Sequence, residues 1–288
     1  MKVETALITG AGSGIGLALA HEFAKHGHPL VLTSRIEAEL YTIATEIATK
    51  HNIAVQVVGA DLEDSGAPQR IFDFVEREGI QVGILVNNAG LGFRGKFWEV
   101  PLEQGFSIVR VNIEALLSLT HLFLPGMISR NRGRLLTTAS IAGFEPGPLM
   151  SVYHASKAFV LSFTEALAIE LEETNISVTA LCPGPTDTDF FPKAGMMETK
   201  AFQKAHVMAP QKVAEIGYRA MMRGDRTVVA GASNKALTFA RRFLTEGAQA
   251  KMNEKFYEEA KPSDRSRRRG DVERKHQKKS HDEKQFSE

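Results

Sequence analysis

Thr9-Gly10-Ala11-Gly12-Ser13-Gly14-Ile15-Gly16 is the stretch on which the fold turns. It follows a strand-like run at residues 6–10 and opens a pattern in which Ile15, Leu19 and Phe23 recur on one helical face. Glycines at such a junction permit a tight turn, let backbone approach a pyrophosphate and let the helix pack close to the strand. The helix N-terminus then presents free N–H groups and a partial positive charge to the anion. The expectation is dinucleotide binding. No Gly-Lys-Ser/Thr follows, which disfavours a nucleoside-triphosphate loop.

Outward from that turn, β-rich runs at 6–10, 30–34, 54–60, 84–88, 134–140, 177–181 and 227–230 alternate with longer helical patterns. This alternation predicts a parallel sheet with crossover helices on both faces, an α/β doubly wound arrangement of seven strands. A long helical stretch from about Leu102 is expected to end near Pro125-Gly126, another follows Tyr153, and residues 234–250 read as an amphipathic helix. Residues 185–210 have no clear period and sit where a mobile loop would. Residues 1–260 are thus expected to form a single domain, with this loop beside the site.

Of 288 residues, 43% are hydrophobic and 24% charged, enough apolar surface for a sizeable core, which excludes a wholly disordered chain. One cysteine, Cys182, can form neither an internal disulfide nor a multi-Cys zinc site. No signal-peptide pattern and no uninterrupted apolar run of about 18 residues is seen, so the reading is a cytoplasmic protein without a membrane span. His26 and His28 have no carboxylate cluster beside them, and a metal site has no support. The net charge of +1 hides an asymmetry: residues 261–288 hold 10 Lys/Arg and 6 Asp/Glu, leaving 25 and 28 in residues 1–260. With Val272 its single aliphatic residue, the tail is expected to be disordered, and its basic clusters offer at most a secondary contact with nucleic acid or an anionic surface.

In dinucleotide sites an acidic residue after the second strand binds the ribose 2′-hydroxyl of NAD, whereas an arginine accommodates the 2′-phosphate of NADP. Here Ser34 is uncharged and Arg35 basic, which favours NADP, with NAD remaining possible. The duller alternative is that Arg35 pairs with Glu39 on a solvated helix start.

Taken in order, these motifs resemble the short-chain dehydrogenase/reductase family over residues 4–231, which implies a Rossmann fold and a carbonyl reductase or alcohol dehydrogenase activity. The turn at 9–16 is similar to the family's TGxxxGxG, so Gly10, Ser13, Gly14, Ile15 and Gly16 are implied to bind the dinucleotide. Asp61-Leu62 resembles the pair that contacts adenine. Asn87-Asn88-Ala89-Gly90 resembles NNAG, which supports the sheet beneath the cofactor. Pro183, Gly184, Thr186 and Thr188 resemble the segment that holds the nicotinamide carboxamide. Asn112, Ser140, Tyr153 and Lys157 match the catalytic set; Lys157 is implied also to hold the nicotinamide ribose, and Asn112 to anchor a water leading from Lys157 to solvent.

The residue types make chemical sense without the name. Tyr153 and Lys157 stand four apart, one turn on one helical face. A phenol of pKa about 10 exchanges protons poorly at neutral pH, and an adjacent ammonium is expected to favour the phenolate. Tyr153 would protonate a carbonyl oxygen in reduction and deprotonate an alcohol in oxidation, with Ser140 holding the same oxygen. His154 points off that face and reads as structural or as a pocket wall.

Two departures matter. Ser13 stands where many NADP-preferring relatives carry a base, so the preference rests on Arg35. The chain also replaces the Asp-Gly-Gly ending of tetrameric members with an added helix, which points to a homodimer through residues 102–124 and 153–171. Phe93, Phe97, Trp98, Phe144, Leu149, Met150, Phe190, Phe191, Met196, Met197, Phe202 and Met208 cluster in the segments expected to line the substrate site. They imply a small-molecule carbonyl or alcohol on an apolar body: ketoacyl, steroid-like or aromatic. The competing reading is a non-catalytic dinucleotide-sensing or protein-interaction module on the same fold.

Overall fold

The computed structural model describes residues 3–276. In chain order its elements are β1 (Thr5–Thr9), α1 (Gly14–Lys25), β2 (Leu30–Ser34), α2 (Glu37–His51), β3 (Val55–Gly59), α3 (Ala67–Arg77), β4 (Val82–Asn87), α4 (Leu102–Val109), α5 (Ala115–Ser129), β5 (Gly133–Thr138), α6 (Ser151–Glu170), β6 (Ile176–Cys182), α7 (Phe190–Lys193), α8 (Lys200–Gln203), α9 (Pro210–Arg223), β7 (Thr227–Val229), α10 (Ala232–Arg241) and α11 (Glu246–Tyr257). The strands form one sheet in the order β3-β2-β1-β4-β5-β6-β7, and every pairing is parallel. Strand order reverses between β1 and β4, which opens a crevice beyond the carboxyl ends of the strands.

Alternate strand residues point to opposite faces, so a sheet covered on both sides needs apolar residues throughout. Leu7, Val31 and Leu85 join Ile71, Leu119 and Phe123 on one face. Ile8, Leu32 and Ile84 join Leu19, Phe23 and Met221 on the other. The strands stand where the sequence places them, with boundaries moved by one or two residues.

The helix expected to stop near Pro125 instead runs through it to Ser129. Buried Met127, packed under the sheet, holds the last turn in place. Residues Leu102–Ser129 form one continuous 28-residue helix, long and apolar enough by composition to cross a membrane, but Leu116, Leu119, Phe123 and Met127 spend that apolarity on the core. A π-helical turn at Arg110–Glu114 joins α4 to α5.

Two further expectations need correction. The single helix at 234–250 is two helices, α10 and α11, separated at Thr245, whose hydroxyl accepts the Ala248 N–H. The loop at 185–210 contains α7 and α8 and packs through Phe191, Phe202 and Met196. The tail is not disordered over 261–276. It runs back along that loop, with Arg265 paired to Glu198 and Glu259, Arg267 donating to the Phe202 and Ala205 carbonyls, and Arg269 paired to Asp187 and Asp189. Side chains replace the missing apolar surface: salt bridges and hydrogen bonds to main-chain carbonyls hold what hydrophobic burial could not. The remaining tail, with Lys278-Lys279, lies outside the described residues.

Candidate active site

At the crevice, the turn after β1 depends on glycine. Gly10 and Gly14 have φ of +66° and +57°, and a Cβ on Gly16 would fall 2.1 Å from the Gly10 carbonyl oxygen. No acidic residue stands in the first turn of α1, and the Ser13 side chain makes no capping hydrogen bond there. The first-turn amides are therefore left for an anion. The Thr9 hydroxyl donates to the Val86 carbonyl at 3.3 Å and accepts the N–H groups of Asn88 and Ala89 at 2.9 and 3.0 Å, which pins the edge of the crevice.

The cleft is about 610 Å³. Gly10, Ser13, Gly14, Ile15 and Gly16 line it with Ser34, Arg35, Asp61, Leu62, Asn88, Ala89 and Gly90. At its other end stand Ser140, Tyr153, Lys157, Pro183, Gly184, Thr186 and Thr188. Among the expected catalytic and cofactor-binding residues Asn112 alone does not line it. An unpaired helix start, a glycine cradle and a cleft running from Arg35 to Tyr153 fit a dinucleotide. Arg35 faces Glu63 at 3.8 Å rather than Glu39, and Glu63 in turn accepts the Ser107 hydroxyl at 2.6 Å.

Tyr153 and Lys157 lie on α6, where the four-residue spacing brings the ammonium to 5.8 Å from the phenol ring centre. The expected acidification of the phenol is not what this geometry produces. Burial pushes the Tyr153 hydroxyl up to about 12, partly offset by a hydrogen bond with Ser140. Lys157 donates to the Thr138 carbonyl at 2.8 Å, and burial lowers it to about 8. Ser140 Oγ accepts the Ala142 N–H at 3.1 Å, which fixes its rotamer at the end of β5.

Asn112 occupies the π-helical turn, a local distortion often found at functional positions. Its Oδ1 accepts the Leu91 N–H at 2.8 Å while its Nδ2 donates to the Leu91 carbonyl and to Ser156 Oγ, at 3.0 and 2.9 Å. Ser156 donates onward to the Tyr153 carbonyl at 2.7 Å. Asn112 thus ties α6 to the loop after β4. A Cβ on Gly90 would lie 3.3 Å from Lys157 Nζ and 3.4 Å from Asn112 Oδ1, so those two atoms face one small space.

Beyond Tyr153 lies an apolar cluster of Leu149, Met150, Phe190, Phe191, Met196, Met197 and Phe202, and Phe93 also lines the cleft. The other sequence candidates fall elsewhere: Phe97 and Trp98 are exposed, and Phe144 and Met208 pack into other parts of the core. Two residues the sequence reading missed, Phe256 and Tyr257, close the cluster from α11. Their signal was an aromatic pair ending a helix otherwise rich in charge, too short to separate from ordinary packing. His154 is buried; its Nδ1–H donates to the Glu145 carbonyl, so Nε2 accepts the Tyr257 hydroxyl at 2.8 Å. Burial lowers it to about 4, and it serves as a neutral structural link.

A profile of the short chain dehydrogenase family matches residues 4–199. The 17-beta-hydroxysteroid dehydrogenase type 3 of Mus musculus is 38% identical over 184 residues, 62% of this chain and 59% of that protein. A very-long-chain 3-oxoacyl-CoA reductase of Anas platyrhynchos is 37% identical over 184 residues, 62% of this chain and 58% of that protein. The chain spans about three fifths of the length of these curated relatives. A solved short-chain dehydrogenase from Sphingobium yanoikuyae in complex with NADPH is 31% identical with a TM-score of 0.75, covering 84% of this chain and 95% of that one. A short-chain dehydrogenase/reductase from Burkholderia phymatum in complex with NAD is 26% identical with a TM-score of 0.76, covering 84% and 93%.

Proposed function

This chain belongs to the short-chain dehydrogenase family, and from that premise we propose that it is an NADP(H)-dependent oxidoreductase interconverting a carbonyl and a secondary alcohol on an apolar substrate. The observation that carries the reading is the convergence of Ser140, Tyr153 and Lys157 where the dinucleotide cleft meets the apolar cluster. A sensing or interaction module would have no use for a phenol, hydroxyl and ammonium gathered at that junction.

A bound nicotinamide dinucleotide supplies or accepts the hydride at the substrate carbon. The chain handles the proton. Tyr153, a phenol that desolvation holds firmly protonated, donates its proton to the carbonyl oxygen as charge develops there, and accepts it back in oxidation. Ser140 orients that oxygen, and the Lys157 ammonium stabilises the tyrosinate left behind. Leu149, Met150, Phe190 and Phe191 exclude water and favour an apolar body. Arg35 takes the 2′-phosphate, in agreement with the NADPH held by the Sphingobium relative. The steroid and acyl-CoA chemistry named for the curated relatives supports the apolar substrate class.

The same reading includes a homodimer through α4, α5 and α6. Leu102, Phe106, Phe159 and Ile169 are exposed on these helices, and Phe159 stacks on Phe163 at 6.1 Å. The testing experiment is NADPH oxidation across a panel of apolar and polar ketones, with Tyr153→Phe alongside. Turnover of apolar ketones that falls about 10²–10⁴-fold in the variant while NADPH affinity holds supports the assignment. A fully active variant, or a preference for sugars, refutes it.

A further inference from the structure

Asp187 lies between Thr186 and Thr188 in the loop after β6, and its carboxylate is fully buried. Oδ1 accepts the Gly270 N–H at 2.9 Å and the Arg269 guanidinium at 3.3 Å. Oδ2 accepts the N–H groups of Val272 and Glu273 at 2.9 and 3.2 Å. An ionised carboxylate has about four acceptor sites, and one segment more than eighty residues downstream fills all of them. Arg269 also reaches Asp189 at 3.0 Å and Glu273 at 3.0 Å.

A buried carboxylate stripped of its donors must find water, so the loop could not keep its conformation if residues 269–273 were lifted away. Thr186 and Thr188 are its chain neighbours. Thr188 packs on the glycine turn, where a Cβ added to Gly14 would stand 3.0 Å from the Thr188 Cβ. The position of this loop over the cleft is therefore coupled to the contacts of Asp187. Arg265, Arg267 and Arg269 alternate with exposed Ser266 and Arg268, so an extended segment presents three guanidinium groups to the loop. Gln203 fastens the middle, exchanging hydrogen bonds with Arg267 main chain at 2.9 and 3.0 Å.

We propose that residues 265–273 are a strap whose grip on Asp187 positions Thr186 and Thr188 for the nicotinamide half of the dinucleotide, which makes Asp187 and Arg269 positioning residues of that site. The proposal rests on the dinucleotide reading above. It separates the two halves of the ligand, because the strap's hydrogen bonds reach the loop at one end of the cleft and, among the described residues, none reaches the Arg35 end.

The test is calorimetric titration of the full chain and its Arg269→Ala variant with NADPH and with 2′-phospho-ADP-ribose, which lacks the nicotinamide. Arg269 is only part-buried, so its removal leaves the core intact; Asp187→Asn is the second variant, with amide hydrogens turned against the strap's N–H groups. The expected result is NADPH weakened about tenfold in Arg269→Ala and the fragment changed less than about twofold. KM for NADPH rises in step while kcat at saturation stays within about threefold, and Arg269→Lys recovers part of the loss. Equal weakening of both ligands, or of neither, overturns the strap while the dinucleotide reading stands. A parent protein that binds neither ligand overturns that reading, and the strap's role with it.

Discussion

The ammonium of Lys157 lies 5.8 Å from the centre of the Tyr153 ring and donates to the Thr138 carbonyl at 2.8 Å, the lysine buried and the tyrosine partly buried at the cleft wall. Their proton affinities move in opposite directions, the phenol up to about 12 and the ammonium down to about 8, because burial penalises the charged form of each.

The pH dependence follows from those directions. Reduction needs a neutral phenol and a charged lysine, and both are present below about pH 8. We expect kcat/KM for ketone reduction to fall as pH rises through about 8, while alcohol oxidation, which needs the phenolate, rises with pH. Profiles in both directions check this; reduction that accelerates between about pH 8 and 9.5 would contradict it.

Lys157→Met should abolish most turnover yet stabilise the fold. The lysine binds its proton less tightly when folded (about 8) than unfolded (10.5), so its charge penalises folding below pH 8 and the penalty fades as pH rises toward 10.5. At about 1.4 kcal/mol per tenfold change in affinity the cost is about 3 kcal/mol, less about 1 kcal/mol for the Thr138 hydrogen bond. Urea unfolding at pH 7 should show a gain of about 2 kcal/mol that shrinks as pH rises from about 8 and is largely gone by 10.5. A destabilised variant would count against a buried charge.

At the other end of the cleft, Glu63 stands 3.8 Å from Arg35 and competes for the guanidinium. Arg35→Ala should weaken NADPH by about ten- to a hundredfold and NADH by less than threefold. Glu63→Gln should tighten NADPH about two- to fivefold, a small effect because the pair is half exposed and screened. Fluorescence titration of both dinucleotides measures the pair of effects; equal losses for NADH would remove Arg35 from the phosphate.

Phe159→Glu places a charge on the exposed face of α6 beside Phe163. Sedimentation velocity should show the dimer replaced by monomer with the fold retained. A parent protein that sediments as a monomer would end that assignment.

What could be read along the chain is what depends on near neighbours. Eight consecutive residues carry the glycine turn, and four-residue spacing puts Tyr153 and Lys157 on one helical face. Arg35 is legible as basic, but its partner Glu63 is not, because α2 carries Glu39 at the more obvious spacing and only the packing of the loop after β3 brings Glu63 closer. Asn112 is legible only through the family resemblance. The π-helical turn that aims it at Leu91 and Ser156 has no local signature in that sequence.

The tail shows the same limit from the other side. Arg265, Arg267 and Arg269 alternate in the sequence, and alternating charge ordinarily means a solvated chain; their partners Glu198, Phe202 and Asp187 lie more than sixty residues away. Sequence alone determined the sheet, the turn and the spacing of Tyr153 and Lys157, since strand alternation and helical periodicity are properties of adjacent residues. Only the tertiary structure decided the direction of the Tyr153 shift, the closure of the pocket by Tyr257 and the seating of the strap. Burial and electrostatic pairing depend on which distant segments share a volume, and no local pattern records that.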